Sequence, residues 1–143
     1  MPDVRQIESP PTLEALFQRY HASWESRNPD LIASLHSEDT IFWVHSGSEP
    51  VEGREALRQH CIGLFAAFDF TLEMSRLLYG ADHWVLEWTM VAALVEPGGT
   101  PFTARVEMLD VVTVNAAGQV VRKDVFVNGR QYQEAFARAG IER

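Results

Sequence analysis

The run Ala104-Arg105-Val106-Glu107-Met108-Leu109-Asp110-Val111-Val112-Thr113-Val114 reads as a strand, because β-branched and apolar residues dominate it. Strict alternation puts Ala104, Val106, Met108, Asp110 and Val112 on one face. Arg105, Glu107, Leu109, Val111 and Thr113 take the other. On the first face only Asp110 is polar. Either Asp110 sits at an edge or bulge and binds solvent or a backbone amide, or it is held inside. If buried without a partner it protonates, since desolvation raises a carboxyl pKa, by up to about 3–5 units at full burial. A neutral acid in an apolar wall is a hydrogen-bond donor.

Working outward, Pro97-Gly98-Gly99 before this strand and Asn115-Ala116-Ala117-Gly118 after it are turn sequences. They predict neighbouring strands over 84–95 and 120–127, with a further strand over 70–79 beyond Gly80-Ala81-Asp82. Upstream the pattern is helical. Leu13, Leu16, Phe17, Tyr20 and Trp24 predict an amphipathic helix over 12–27, with Thr12 as its cap. Asn28-Pro29-Asp30 opens a short second helix with Leu31, Ile32 and Leu35 inward and His36 at its end. Residues 40–44 read as a strand. A third helix over 54–67 turns Leu57, His60, Cys61 and Leu64 inward, with Phe68 following. Residues 131–139 form a short helical tail, and 1–11 an extended lead-in. Helices followed by a meander of strands predict an α+β domain over 1–143, a strongly curved antiparallel sheet with three helices on its concave face. Such a cone closes at one end into a pocket.

The 143 residues suit one core. A net charge of −8 argues against nucleic acid or an anionic membrane as partner. The single cysteine, Cys61, excludes an intrachain disulfide. No apolar run approaches the roughly 20 residues of a membrane span, and the first residues carry no signal-peptide pattern, so a cytoplasmic location is expected. No histidine pair has metal-ligand spacing on a face shared with a carboxylate, so no metal is expected.

Three segments carry a family resemblance. Gln18-Arg19-Tyr20 resembles the first-helix segment that bears the oxyanion-hole tyrosine of ketosteroid isomerases. Gly47-Ser48-Glu49-Pro50 resembles a loop of the same enzymes. Met108-Leu109-Asp110, with Asn115 to Val121 after it, resembles the strand and hairpin that bear their oxyanion-hole aspartic acid. The order of elements from Leu13 to Phe126 is similar to the nuclear-transport-factor-2-like fold, which includes SnoaL-like polyketide cyclases. The resemblance implies that Tyr20 and a protonated Asp110 donate to an enolate oxygen in a dry cavity. It also implies that no cofactor is used. The general-base aspartate of the family is replaced by Val44, which accepts no proton, and His60 and Cys61 replace an aromatic residue and a second tyrosine.

Two residues are candidates for the missing base. His60 lies on the inward helix face, and an imidazole is the side chain suited to proton transfer near neutrality. Asp124 lies in Arg122-Lys123-Asp124-Val125-Phe126, which loosely resembles the catalytic segment of limonene epoxide hydrolases. In the isomerase register Lys123, Val125 and Val127 face the cavity and Asp124 points away; a one-residue slip reverses this. His36 at the cavity mouth and His45 beside Val44 are weaker candidates. Trp24, Phe42, Val44, Trp88, Met90, Met108 and Val112 are expected to line an apolar pocket for a small-molecule ligand. The mixed outer sheet face suits a homodimer contact. The resulting expectation is a small enzyme acting on an apolar carbonyl or polyketide-like compound. The alternatives are a non-catalytic binding protein and a dimerisation module.

Overall fold

A computed structural model describes residues 11–141. The lead-in expected over 1–11 therefore lies outside the described residues, apart from Pro11. Helix α1 spans Leu13–Glu25. Thr12 caps it, its hydroxyl accepting from Ala15 N at 3.1 Å, a contact worth about 1 kcal/mol. Leu16, Phe17, Tyr20 and Trp24 form its buried stripe. Arg27, at a left-handed φ of 55°, ends the helix. Its guanidinium donates to Phe65 O at 2.9 Å, tying this corner to the end of the third helix.

Helix α2 (Pro29–Ser34) is capped by Asn28 and buries only Ile32 and Ala33. Leu31, expected inward, is exposed, because so short a helix has room for one buried stripe. Strand β1 (His36–His45) starts four residues earlier than the sequence pattern suggests, so His36 belongs to a strand and not to a helix end. The cause is the return of the chain: Val120 N donates to Leu35 O at 2.9 Å and extends the pairing to the end of α2.

A two-residue strand β2 (Val51–Glu52) precedes helix α3 (Arg54–Ala67), which buries Leu57 and Cys61. Strands β3 (Asp69–Tyr79), β4 (His83–Val95), β5 (Pro101–Val114) and β6 (Val120–Val127) follow. The chain closes with helix α4 (Gly129–Arg138), capped by Asn128.

The six strands form one curved, unclosed sheet in the order β2-β1-β6-β5-β4-β3. All pairings are antiparallel except β1 with β6. The sheet is thus mixed, a departure from the expected all-antiparallel arrangement. Hairpin turns force antiparallel neighbours along β3 to β6, whereas β1 meets β6 only after the whole chain between them has looped out, so its direction is free of that constraint.

Alternation holds through the sheet. Trp84, Leu86, Trp88, Met90, Ala92 and Leu94 of β4 are all buried, with exposed or half-buried residues between them. Large side chains of this kind contribute roughly 1.5–3 kcal/mol each on burial. On β5 the faces are as the sequence implies, with Val106, Asp110 and Val112 inside and Arg105 and Glu107 outside. Helix α1 packs on β3 and β4, α3 on β1 and β2, and α4 on β5. The core lies between these helices and the sheet.

Candidate active site

An apolar cavity of about 260 Å³ opens between the sheet, α3 and α4. Its walls are aromatic: Trp24 from α1, Phe42 from β1, Phe70 from β3, Trp88 from β4, and Tyr132 and Phe136 from α4. Val44, Met90 and Met108 fill the gaps between them. Among the described residues the ionisable groups bordering it are Glu49, His60, Lys123 and Tyr132. Glu49 lies in the exposed loop at the mouth.

Lys123 is the only lysine in a chain with eleven arginines. It is 4% exposed. Its Nζ lies 4.2 Å from the ring centre of Trp24, 4.9 Å from Tyr20 and 5.6 Å from Phe42. The faces of these rings attract a cation. The same Nζ is 3.5 Å from Asp110 Oδ2, and Asp110 Oδ1 accepts from Trp88 Nε1 at 2.8 Å. Asp110 is 3% exposed. Burial pushes the Asp110 carboxyl above the ordinary carboxylate range, against the pull of Lys123. Burial likewise lowers the Lys123 ammonium, against the pull of Asp110. Each group is thus the other's main compensation for lost water.

Asp110 and Tyr20 do not border the main cavity. They border a void of about 10 Å³ behind it, with Phe17, Trp84, Leu86 and Lys123, at the lower limit for one water molecule. The reason lies along β5. Met108 reaches the cavity, Asp110 the void, and Val112, fully buried, only the core. The narrow end of the cone is filled by the large side chains of α1 and β4. Val112, expected in the lining, sits beyond the closed end. Among the described residues Lys123 alone of the buried charged groups borders both spaces.

Tyr20 is committed elsewhere. Its hydroxyl is 2.8 Å from His36 Nε2, and His36 Nδ1 is 2.8 Å from Thr40 Oγ1. Thr40 in turn donates to Val120 O at 3.3 Å. A hydroxyl has one hydrogen, so Thr40 accepts from His36 Nδ1–H. His36 Nε2 is then an acceptor, and Tyr20 donates its only proton to it. Burial lowers His36 to about 3, which keeps the imidazole neutral and this arrangement intact at pH 7. Burial also raises the Tyr20 phenol well above its ordinary value.

The remaining predicted residues separate cleanly. His60 borders the main cavity, its ring 5.3 Å from Phe42. Asp124 lies on the opposite face of the sheet, where it accepts from His45 Nε2 at 2.8 Å and from Arg122 Nε at 2.8 Å. Arg122 holds its carboxyl below the usual range. The register pairs Val44 with Val125 and Trp43 with Asp124, so Lys123 and Val125 face inward. Trp24, Phe42, Val44, Trp88, Met90 and Met108 line the cavity. The Trp24 Nε1–H is buried away from the cavity surface; it meets no acceptor at full hydrogen-bond geometry among the described residues, and its nearness to the Tyr20 hydroxyl pulls that phenol down against the effect of burial.

Two features escaped the sequence reading. Lys123 was placed toward the cavity but given no role; that it is the chain's only lysine, set on an apolar strand, was the available signal. Tyr132 and Phe136, in what reads as a helical tail, form a cavity wall. Their spacing of four puts both on one face of α4. Among the described residues no three His, Cys, Asp or Glu side chains are grouped to hold a metal ion. No described helix is long and apolar enough to cross a membrane.

Residues 17–123 match the SnoaL-like domain family. The match spans most of the chain, which therefore belongs to that family. No curated protein matches the chain. Solved structures share the fold at low identity. One is a proposed SnoaL-like polyketide cyclase of Shewanella putrefaciens CN-32, with a TM-score of 0.77 and 9% identity over 89% of this chain and 97% of that one. Another, of Catenulispora acidiphila DSM 44928, has a ketosteroid isomerase-like fold and was solved with trimethylamine; the TM-score is 0.73 and the identity 17%, over 92% and 96% of the two chains. The epoxide hydrolase/cyclase-like enzyme SalBIII, of pyran ring formation in the polyether salinomycin, matches with a TM-score of 0.71 and 19% identity over 82% and 92%.

Proposed function

We propose that this protein is a small cofactor-independent enzyme of the ketosteroid isomerase/SnoaL-like type, acting on an apolar carbonyl or polyketide-like compound through an enolate or its equivalent. The observation that carries this reading is Lys123, whose buried Nζ lies 3.5 Å from Asp110 Oδ2 and which borders an otherwise apolar cavity. A carbonyl oxygen placed against Lys123 gains charge in a site with little water to reorganise, where a preorganised donor is worth about 3–4 kcal/mol of barrier. In this reading Asp110 sets the charge state of Lys123 and does not itself touch the oxygen. Tyr20, through His36, holds the wall behind it. His60 moves the proton at the neighbouring carbon, and Asp124 has no part. The cavity lies below the roughly 300–1,000 Å³ of drug-sized ligand sites, which favours a mono- or bicyclic ligand over a steroid.

The test is exchange of the α-hydrogens of 2-tetralone in D₂O, followed by NMR. This readout is common to isomerase, cyclase and dehydratase chemistry. Exchange faster than in buffer, reduced at least a hundredfold in Lys123→Met, is expected. Ketone binding without exchange refutes the catalytic reading in favour of a binding protein. That second reading rests on Val44, which lines the cavity where the resemblance places the base. The outer sheet face, where Phe126 is exposed beside His45, is the proposed homodimer contact. A fall in sedimentation coefficient to the monomer value in Phe126→Asp is the expected check.

A further inference from the structure

We propose that Lys123 is a covalent catalyst, an amine that forms an iminium adduct with the carbonyl carbon of the ligand. The inference rests on the carbonyl reading above and specifies how that carbonyl is activated. Three observations on separate elements converge on it. Lys123 on β6 borders both the ligand-sized cavity and the small void behind it. Asp110 on β5, 3.5 Å from Nζ, borders that void. Trp24 on α1 borders both spaces, with its ring centre 4.2 Å from Nζ. An amine nucleophile with an acid–base group beside it, at the wall of a ligand-sized cavity, is the pair that imine formation needs.

The step balances without any further reactant. Asp110 takes one proton from the Lys123 ammonium and leaves the free amine. Nζ attacks the carbonyl carbon, and a C–N bond forms as the C=O π pair moves to the oxygen. A second nitrogen-bound hydrogen passes to that oxygen to give a carbinolamine. Asp110 returns its proton to the hydroxyl, the C–O bond breaks, and water leaves. The product is an iminium cation with Asp110 again a carboxylate. Of the three ammonium hydrogens, one remains on nitrogen and two leave in water, so the buried pair keeps its net charge of zero. The adduct makes the adjacent C–H acidic, and the base that removes this hydrogen leaves an enamine.

The surroundings favour the amine. A solvated lysine near pKa 10.4 is free amine in only about one molecule in 2,500 at pH 7. Burial lowers the Lys123 ammonium, and each unit of lowering raises that fraction about tenfold. The chain's composition also favours a clean test, because Lys123 is the only side-chain amine. The other amine is the α-amino group of the chain.

The experiment is reductive trapping. The folded protein is incubated at pH 7 with 2-tetralone and sodium cyanoborohydride, then digested and mapped by mass spectrometry. The expected result is one added ketone, less its oxygen atom, on Lys123, at least tenfold above the level in urea-unfolded protein under the same conditions. Lys123→Arg, which keeps the positive charge, is expected to carry label only at the α-amino group. Label confined to that group in the wild-type protein, or equal labelling of Lys123 folded and unfolded, overturns the proposal. If α-hydrogen exchange persists in that case, the carbonyl enzyme stands and only its covalent step falls. If the ketone neither exchanges nor binds, both readings fall together.

Discussion

Replacing Lys123 with methionine keeps most of the side-chain volume and removes the charge. Asp110 is then left 3% exposed, with the Trp88 indole as its remaining hydrogen-bond partner. Breaking one side of a buried ion pair costs about 3–5 kcal/mol, a large share of the 5–15 kcal/mol that holds a typical domain folded. For a chain of this length the midpoint of thermal unfolding should fall by about 10–15 °C. The loss depends on pH with a definite sign. Burial already raises the Asp110 carboxyl, and without Lys123 nothing of comparable strength opposes it. A group whose pKa is higher folded than unfolded loses stability as pH rises through that interval. Lys123→Met should therefore be weakest near pH 7 and recover as pH falls toward 4, where the folded-state carboxyl is protonated and the unfolded one begins to be. Adding Asp110→Leu to the same chain removes the stranded carboxylate and should return stability to within about 1 kcal/mol of the wild type. Urea unfolding followed by tryptophan fluorescence at pH 4.5 and pH 7 measures all three chains. A Lys123→Met protein within about 1 kcal/mol of wild type at pH 7, with no recovery in acid, would show that Lys123 and Asp110 do not depend on one another, and the proposed site would lose its basis.

Tyr20→Phe strips the buried His36 Nε2 of its donor and should cost about 1–3 kcal/mol in urea unfolding, while ketone binding changes less than threefold; a hundredfold loss of affinity would mean that Tyr20 donates to the ligand after all. His36 is held near 3 when folded and returns to about 6.5 when unfolded. Its contribution is complete above pH 6.5 and lost as pH falls toward 3, so His36→Gln should flatten the acid side of the stability profile, and an unchanged slope would refute this. Asp124→Asn, on the far face of the sheet, should cost at most about 1 kcal/mol and leave α-hydrogen exchange within twofold; a hundredfold fall would restore Asp124 as a catalytic group.

The elements were legible because their signals are local. Thr12 and Asn28 act at the caps where their side chains can reach a free amide. Glycines at φ 97° and 78° turn the hairpins on either side of β5. Alternation on β4 and β5 marks the buried face residue by residue. The family resemblance supplied the overall arrangement, and the match to the SnoaL-like family agrees with it. What could not be read locally is how deep the cone is open. That depends on Phe17, Tyr20, Trp84 and Leu86, from two elements far apart in sequence, meeting at the closed end. It also depends on α4, whose Tyr132 and Phe136 wall a cavity begun by residues of α1 and β1.

By itself the sequence put Asp110 on the apolar face of β5, by period-two alternation, and left open whether the acid is buried or sits at an edge or bulge. The resemblance to ketosteroid isomerases implies that Val44, which accepts no proton, stands at the base position of those enzymes. Only the tertiary structure decided what that acid would meet. The β5–β6 register sets Val112 against Lys123 and Asp110 against Val125, and the diagonal reach between strands brings the chain's single ammonium to within 3.5 Å of the carboxyl. The long reach of β1 back to His36 gave Tyr20 another acceptor. Partners in a sheet are chosen by register and closure, which involve residues separated by most of the chain, and a buried charge takes its chemistry from its partner.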